Sequence, residues 1–278
     1  MRYPQSTLSA IILTFNEEKH IRRCLVRALD FCCEVFVVDS FSTDRTPEIC
    51  RQFSRVRLVQ HAWPGNQAQQ FNWALGHLPL RTEWILRLDA DEYLLPGEGE
   101  KLLHLLHEQP KDVTGLLLQR LRYFLGRHIR YGGTDRVPLL RVFRKGCALC
   151  EYRDMDEHLV LTKGRSFSGD IVFADNNLEP LEKWLNKHLD YAHREASTML
   201  REHHDSHELH RELHRTRRNK ARYARLPMFW RAAGYFVYRY IIRLGFLDGR
   251  EGFLWHFLQA WWYRTVVDEF LCEKSRQA

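Results

Sequence analysis

The chain has 278 residues, with 42 Lys+Arg against 35 Asp+Glu and a formal net charge of +7. Hydrophobic residues make up 45% and charged residues 28%, which excludes a disordered chain and a disulfide scaffold and leaves one large globular domain, or a domain with an appendage. The positive balance favours anionic partners, and the odd count of seven cysteines suits reduced thiols in a cytosolic compartment.

The first apolar run, 8–13, is short and continuous, the pattern of a strand buried on both faces. It runs straight into Thr14-Phe15-Asn16-Glu17-Glu18, so it does not read as a signal peptide. Ile21, Leu25, Ala28 and Leu29 then recur at helical spacing over 17–29. A second strand is predicted at 35–38. Thr46-Pro47-Glu48 has the form of an N-cap with proline at the first helical position, opening a helix to Phe53. Strand 56–59, helix 67–77 and strand 84–88 follow. Strands alternating with helices indicate a βαβ array and an α/β fold with a mainly parallel sheet. Further strands at 116–118, 139–143 and 159–161 suggest mixed strand order in the second half. From Leu181 the pattern becomes helical, so a boundary is placed near Glu179-Pro180, giving 1–180 and 181–278 as the expected domains. No run approaches the roughly 18 apolar residues of a membrane span. The nearest, 232–247, is broken by Arg239 and Arg243.

Polar residues collect just after each early strand: Thr14, Asn16 and Glu17 after the first, Asp39, Ser42 and Asp44 after the second, His61 after the third, and Asp89, Asp91 and Glu92 after the fourth. In open parallel sheets ligands bind at these carboxyl ends. Within "ILRLDADEYL" (85–94), Asp89 and Asp91 would project to one side if the strand continued, and two carboxylates that close need a positive charge between them. A hard divalent cation meets that need, with a diphosphate supplying the remaining charge. A solvated strand end with a helix cap is the plainer explanation of the same residues.

"LSAIILTFNEEKHI", "VFVVDSFSTDRT" and "LRLDADEYL", in this order and spacing, resemble the inverting family-2 glycosyltransferases of GT-A fold. "QFNWAL" (70–75), "LLRVFRKG" (139–146) and "DEHLVLTKG" (156–164) resemble later segments of that family. "KWLNKHLDYAHREA" (183–196) and "RLGFLDGREGF" (243–253) resemble the subgroup containing the lipopolysaccharide-core β-glucosyltransferase. The resemblance implies a GT-A (Rossmann-like) sheet flanked by helices with a C-terminal helical extension. It implies transfer of a sugar, with inversion, from a nucleotide-sugar donor (UDP by default) to a lipid-linked glycan acceptor of the bacterial envelope. Carried over by position, Thr14, Asn16 and Glu17 would lie against the nucleotide and Asp39 would accept from its base, with Asp44 in the adjoining turn. Asp89 and Asp91 would hold the diphosphate through Mn²⁺ or Mg²⁺. Glu157 matches the general-base position, with Asp156 beside it as an alternative.

Other residues leave two readings open. Gln70 and Asn72 either line the donor pocket or cap their helix. Arg141 and Lys187 either contact phosphate or form surface salt bridges. Cys147-x-x-Cys150 is a weak zinc or redox motif without a second pair. His203, His207, His210 and His214 share a helical face but are interleaved with arginines, which favours a solvated or anion-facing helix over a metal site. The tail from Tyr223 to Phe270 alternates aromatics with arginine and suits either helices lying in a membrane interface or helices packed on protein. The expected location is cytoplasmic, peripheral on the inner face of the bacterial inner membrane, with an anionic membrane surface as partner and oligomers possible. A polyprenyl-phosphate sugar transferase of the same fold and a non-catalytic membrane-docking protein are the alternative functions. A nucleotidyltransferase lacks its glycine-rich loop here. A nucleic-acid-binding module lacks a recognised motif, and acidic strand ends would repel its ligand.

Overall fold

A computed structural model describes residues 7–152, 157–201, 223 and 226–277. The chain divides into two units, one formed by 1–126 with 136–178 and the other by 127–135 with 179–278.

The first unit opens with β1 (Leu8–Thr14), α1 (Ile21–Leu29), β2 (Glu34–Asp39), α2 (Thr46–Arg51), β3 (Val56–Gln60), α3 (Gln67–His77) and β4 (Trp84–Asp89). It continues with β5 (Glu92–Leu94), α4 (Glu98–Glu108), β6 (Val113–Phe124), β7 (Val137–Arg144), β8 (Ala148–Cys150), β9 (Leu159–Leu161) and β10 (Arg165–Asn176). The sheet order is β3-β2-β1-β4-β7-β6-β10-β5, and β8 and β9 form a separate antiparallel pair. β3, β2, β1 and β4 are mutually parallel, β6 and β10 are parallel, and the β4–β7, β6–β7 and β5–β10 pairs are antiparallel. This is the α/β sheet expected, mainly parallel in its first half and of mixed order in its second.

Period-two alternation builds both faces of the sheet. Ala10, Ile12, Val35, Val37, Leu86 and Leu88 pack against Ile21, Cys24, Leu25 and Ala28 of α1. Their neighbours Ile11, Phe36, Val38 and Ile85 turn the other way, onto Ala68, Phe71 and Ala74 of α3. Strands covered on both faces carry no polar alternation, which is why these runs are almost wholly apolar, with Ser9 of β1 and Arg87 of β4 as buried exceptions. Their other polar residues are therefore displaced to the strand ends, where the site lies.

Two local expectations change. Thr46 does not cap α2. It is the first residue of that helix, and its hydroxyl instead accepts from the Glu17 N–H at 2.8 Å. The fourth strand does not continue through Asp91. The chain turns at Ala90-Asp91, leaving the middle of the sheet at β4 for its edge at β5. Asp89 and Asp91 therefore do not share a face of one strand.

The second unit contains α5 (Leu181–Arg201), α6 (Trp230–Val237) extended by a π-helical turn (Tyr238–Ile242), a 3₁₀ turn (Gly245–Asp248), α7 (Gly249–His256), a second π-helical turn (Phe257–Trp262) and α8 (Tyr263–Gln277). Ala192 and Ala196 of α5 pack on Tyr263, Val267 and Leu271 of α8. Glu195 joins the same helices, accepting from Tyr263 Oη at 2.6 Å and Arg264 Nη1 at 2.7 Å. No described helix is long and apolar enough to cross a membrane.

Candidate active site

The carboxyl ends of β1, β2 and β4 meet in one register: Thr14 lies opposite Asp39, and Leu13 opposite Asp89. Asp39 is fully buried and is supplied with donors by its own neighbours. It accepts from Thr14 Oγ1 at 3.2 Å, from the Ser42 N–H at 3.0 Å and from Gln60 Nε2 at 3.3 Å, with the Ser42 hydroxyl closer still. A buried carboxylate left without such donors would be costly.

Asn16 binds the two loops together. It sits at φ 56, in the left-handed region that asparagine tolerates, and its N–H donates to Ser42 Oγ at 2.8 Å. Its Oδ1 accepts from the Thr43 N–H at 2.8 Å and the Asp44 N–H at 3.4 Å. Asp44 in turn accepts from the N–H groups of Thr46 at 2.9 Å and Glu18 at 3.0 Å. Burial works to raise the Asp44 carboxyl, but the hydrogen bonds from Thr46 and Glu18 outweigh it and hold the group below the usual carboxylate range. Glu17 reaches His20 Nδ1 at 2.6 Å, and the far ring nitrogen of this fully buried histidine accepts from the Leu178 N–H at 2.8 Å. The β1–α1 loop is thereby tied to the end of β10.

Asp89 and Asp91 are both part-exposed. Asp89 faces α3, where Gln67 Nε2 donates to it at 3.4 Å. Arg87 Nε lies 3.9 Å from one Asp89 oxygen and Arg141 Nη2 lies 3.6 Å from the other. Asp91 accepts from Asn177 Nδ2 at 3.3 Å. Its backbone carbonyl receives the Asn176 N–H at 3.1 Å and faces Arg23 Nη2 at 3.5 Å, while Arg23 also donates to the Asn176 carbonyl at 2.6 Å. Part of the positive charge demanded by the acidic cluster is thus supplied by the protein itself.

Arg141 is not a surface residue. It is buried on β7, stacked 5.3 Å from the Phe173 ring and in a tight ion pair with Glu92, which is 2% exposed. Glu92 also accepts from the Asp89 N–H at 3.0 Å, which fixes the turn that presents Asp89. Burial pushes the Glu92 carboxyl up to about 8, against the pull of Arg141 and with added push from Asp89, Asp175 and Asp91. For Arg141, burial works to lower the pKa, but Glu92 and Asp89, with Asp175 and Asp91, hold it above its ordinary value.

Gln70 and Asn72 are not helix caps. Asn66 caps α3, accepting from the N–H groups of Ala68 and Gln69 at 2.8 and 3.2 Å. Gln70 is fully buried and joins the ends of β2 and β3, donating to Ser40 Oγ at 3.1 Å and meeting His61 Nδ1 at 2.6 Å. Asn72 forms a two-point clamp on Cys150, donating to its carbonyl and accepting from its N–H, both at 2.8 Å.

Glu157 stands just before β9. Desolvation is the main cause that raises the Cys150 thiol, with Arg87 pulling it down and Glu157 adding to the rise, so Glu157 lies within electrostatic reach of Cys150. Cys150 Sγ is 3.5 Å from Arg87 Nη1, and Arg87 in turn faces Asp89. Asp156 and the histidine stripe 203–214 lie outside the described residues. Lys187 is on α5 of the second unit, exposed, with its ammonium 5.8 Å from the Tyr191 ring centre. The Cys147–Cys150 motif holds two free thiols.

Sequence reasoning missed Glu92, Arg23 and Asn177 as supports of the acidic turn. Glu92 was visible as the third carboxylate of its run. Arg23 and Asn177 carried no local signal, since their roles depend on pairing across the fold.

Among the described residues no three His, Cys, Asp or Glu side chains converge as a metal cage. Two part-exposed carboxylates suit a cation that takes its other ligands from phosphate oxygen and water, and in that sense Asp89 and Asp91 fit Mn²⁺ or Mg²⁺.

The lipopolysaccharide core biosynthesis glycosyltransferase LpsC of Rhizobium meliloti is 29% identical over 147 residues, covering 51% of this chain and 53% of LpsC. The glycosyltransferase SunS of Bacillus subtilis is 33% identical over 86 residues, 31% of this chain and 20% of SunS. The chain thus aligns with about half or less of these relatives' length. Among solved structures, S. aureus TarS 1-349 aligns over 98% of this chain and 91% of its own, at 14% identity and a TM-score of 0.48. Glucosyl-3-phosphoglycerate synthase from Mycobacterium tuberculosis, solved with Mn²⁺ and UDP-glucose, aligns over 42% of this chain and 44% of its own, at 18% identity and a TM-score of 0.35. The family model described as Glycosyl transferase family 2 matches residues 9–147, half of the sequence, and the chain belongs to that family.

Proposed function

We propose that the protein is a metal-dependent inverting hexosyltransferase. It would move a sugar from a nucleotide-sugar donor, UDP-linked by default, to a lipid-linked glycan acceptor in lipopolysaccharide or related envelope-glycan synthesis. The observation that carries this reading is the pair of part-exposed carboxylates, Asp89 and Asp91, presented on a turn beside the Thr14–Asp39 loops in a family-2 chain. Asp89 and Asp91 would hold Mn²⁺ or Mg²⁺, which when bound neutralises the departing nucleoside diphosphate.

The remaining work falls to the chain's own groups. Arg141 and Glu92 act through Asp89: the Glu92 carboxylate holds the Asp89 N–H and Arg141 lies against the Asp89 side chain, so both orient the carboxylate without touching substrate. The Asn16 bracket fixes the loops against which the nucleotide would lie. Glu157 takes the proton of the acceptor hydroxyl as that oxygen attacks the anomeric carbon. The bond from that carbon to the diphosphate oxygen breaks on the opposite side, which inverts the centre. Asp156 is the alternative base. The expected location is cytoplasmic and peripheral to the inner membrane, where the lipid-linked acceptor would be met.

The test is a thermal-shift panel of UDP, GDP, dTDP, CDP and ADP, each with and without Mn²⁺, on wild type and Asp91→Ala. The expected result is stabilisation by one nucleotide only with metal, lost in the variant. Stabilisation of Asp91→Ala equal to wild type would remove Asp91 from the metal site.

A further inference from the structure

The second unit contains a helix built inside out. Along α6 and the π-helical turn that extends it, the inward residues include Arg231 and Arg239, only 5% and 8% exposed. Trp230, Ile241 and Ile242 face outward, at 81%, 52% and 65% exposed. The outward positions Trp230, Gly234, Val237, Tyr238 and Ile241 fall at i, i+4, i+7, i+8 and i+11, a single helical face.

The inversion is supported by partners on the inner side. Arg231 Nε donates to Asp268 at 2.9 Å, and the same carboxylate takes the Phe229 N–H at 2.7 Å. Arg239 Nε donates to the Gly132 carbonyl at 3.0 Å. Buried cations held this way fix which face turns out, so the exposed apolar row is not a loose register.

Just beyond the helix, Leu244, Phe246 and Leu247 are exposed as well. At its start a cleft of ≈ 350 Å³ opens between Tyr223, Leu226, Trp230 and Tyr235. Within 226–262 the exposed charges are Arg243 and Arg250. Asp248 is buried, and Glu251 is half-buried 3.6 Å from Arg127. Among the described residues, the stretch 226–262 therefore combines exposed apolar and aromatic side chains with cations and presents no exposed carboxylate.

We infer that this face docks the protein on an anionic bilayer interface, with Trp230, Ile241 and Ile242 entering the acyl boundary and Arg243 and Arg250 at the phosphates. Apolar rows of this kind mark interaction surfaces, and aromatics beside arginine suit headgroup depth. A second copy of the chain is the poorer occupant, because a self-complementary contact would press two cationic faces together and, within 226–262, offers Arg243 and Arg250 no exposed carboxylate to pair with. The inference goes beyond the transfer reaction and does not depend on it.

The test is flotation of the full chain at physiological salt with vesicles of phosphatidylethanolamine and phosphatidylglycerol, and with phosphatidylcholine vesicles. The wild type is expected to float with the anionic vesicles. Trp230→Glu combined with Ile241→Glu should lower that binding by about tenfold or more, whereas Val26→Glu, on an exposed position of α1, should leave it unchanged. Arg243→Gln should weaken binding to the anionic vesicles only. The nucleotide thermal shift, run on the same variants, separates loss of docking from loss of the donor site. Wild type that fails to float, or a double variant that floats equally, overturns the inference. So does a wild-type dimer, seen by sedimentation and abolished by the double substitution, in the absence of vesicle binding. If the double variant does not fold, brominated lipids serve instead. Quenching of wild-type tryptophan fluorescence that is reduced in Trp230→Phe supports docking, and identical quenching in the two overturns it.

Discussion

At the scale of single residues, the site divides into groups that would touch substrate and groups that hold them. Glu157 belongs to the first class under the proposed mechanism. Glu157→Gln should retain the metal-dependent nucleotide shift while kcat falls by about 10²–10⁴-fold, the usual worth of a general base. If Asp156→Asn alone produces that loss, the base is Asp156. Glu92 belongs to the second class. At pH 9, above the Glu92 value of about 8, Glu92→Gln removes the charge opposite a buried guanidinium, and breaking such a pair costs about 3–5 kcal/mol. The expected outcome is a clear drop in the chemical-denaturation midpoint, partly restored when Arg141→Met is added, since the double variant leaves no unpaired buried charge. Glu92 shows what sequence could and could not tell. Its acidity was plain in "DADEY", but its burial follows from β5 pairing with β10, some 80 residues away in sequence (about, by the pairing of Ala174 with Tyr93).

At the scale of elements, the first four strands and the helices between them were legible because each obeys one period: continuous apolar strands, and α3 at 67–77 as the spacing required. Much of what was lost lay where local pattern is weak, although the eleven-residue helix α4, with Leu102 and Leu106 buried, was missed too. β5 and β8 are three residues each, and β10 is polar over its first half because 165–168 is exposed there. The Asn72 clamp was illegible for a similar reason: a side chain that imitates a strand partner leaves no periodic trace. In the second unit, His256 is an element-scale device. Its ring fills the space between Gly132 and Gly245, where an added Cβ would come within 2.0 and 2.4 Å of it. Burial, aided by the Arg239 charge, lowers its pKa to about 3. The unfolded chain therefore binds a proton that the folded chain refuses, in the window between about 3 and the ordinary histidine value of about 6.5. Stability from this group is full above that window and falls with pH inside it. Between pH 6.5 and 5 wild type should lose about 2 kcal/mol more than His256→Phe, read from urea unfolding at each pH.

At the scale of the whole molecule, the seven cysteines are all free, with Cys24, Cys32, Cys50 and Cys150 buried. Burial pushes the Cys24 and Cys32 thiols well up, and Cys50 up to about 12. Since thiolate is the reactive form, the native protein should react quickly with an aromatic disulfide reagent only at Cys33, Cys147 and Cys272, and at all seven cysteines once unfolded. Fast reaction of more than these three would mean that the first unit opens readily. The composition had indicated reduced thiols without showing which were shielded. The segment 127–135 belongs to the second unit although it lies within the sheet-forming sequence.

The turn between Asp89 and Asp91 has a consequence for how the protein is made. The backbone of Asp89 is placed once β4 has joined β1, but its carboxylate still awaits Arg141 of β7, and the carbonyl of Asp91 is held by the N–H of Asn176, at the far end of β10. A nascent chain emerging from the ribosome could assemble four parallel strands and still lack half of its acidic turn. Only after the later strands have been synthesised and paired would both carboxylates be set, so the capacity to engage a nucleotide should arrive late and all at once.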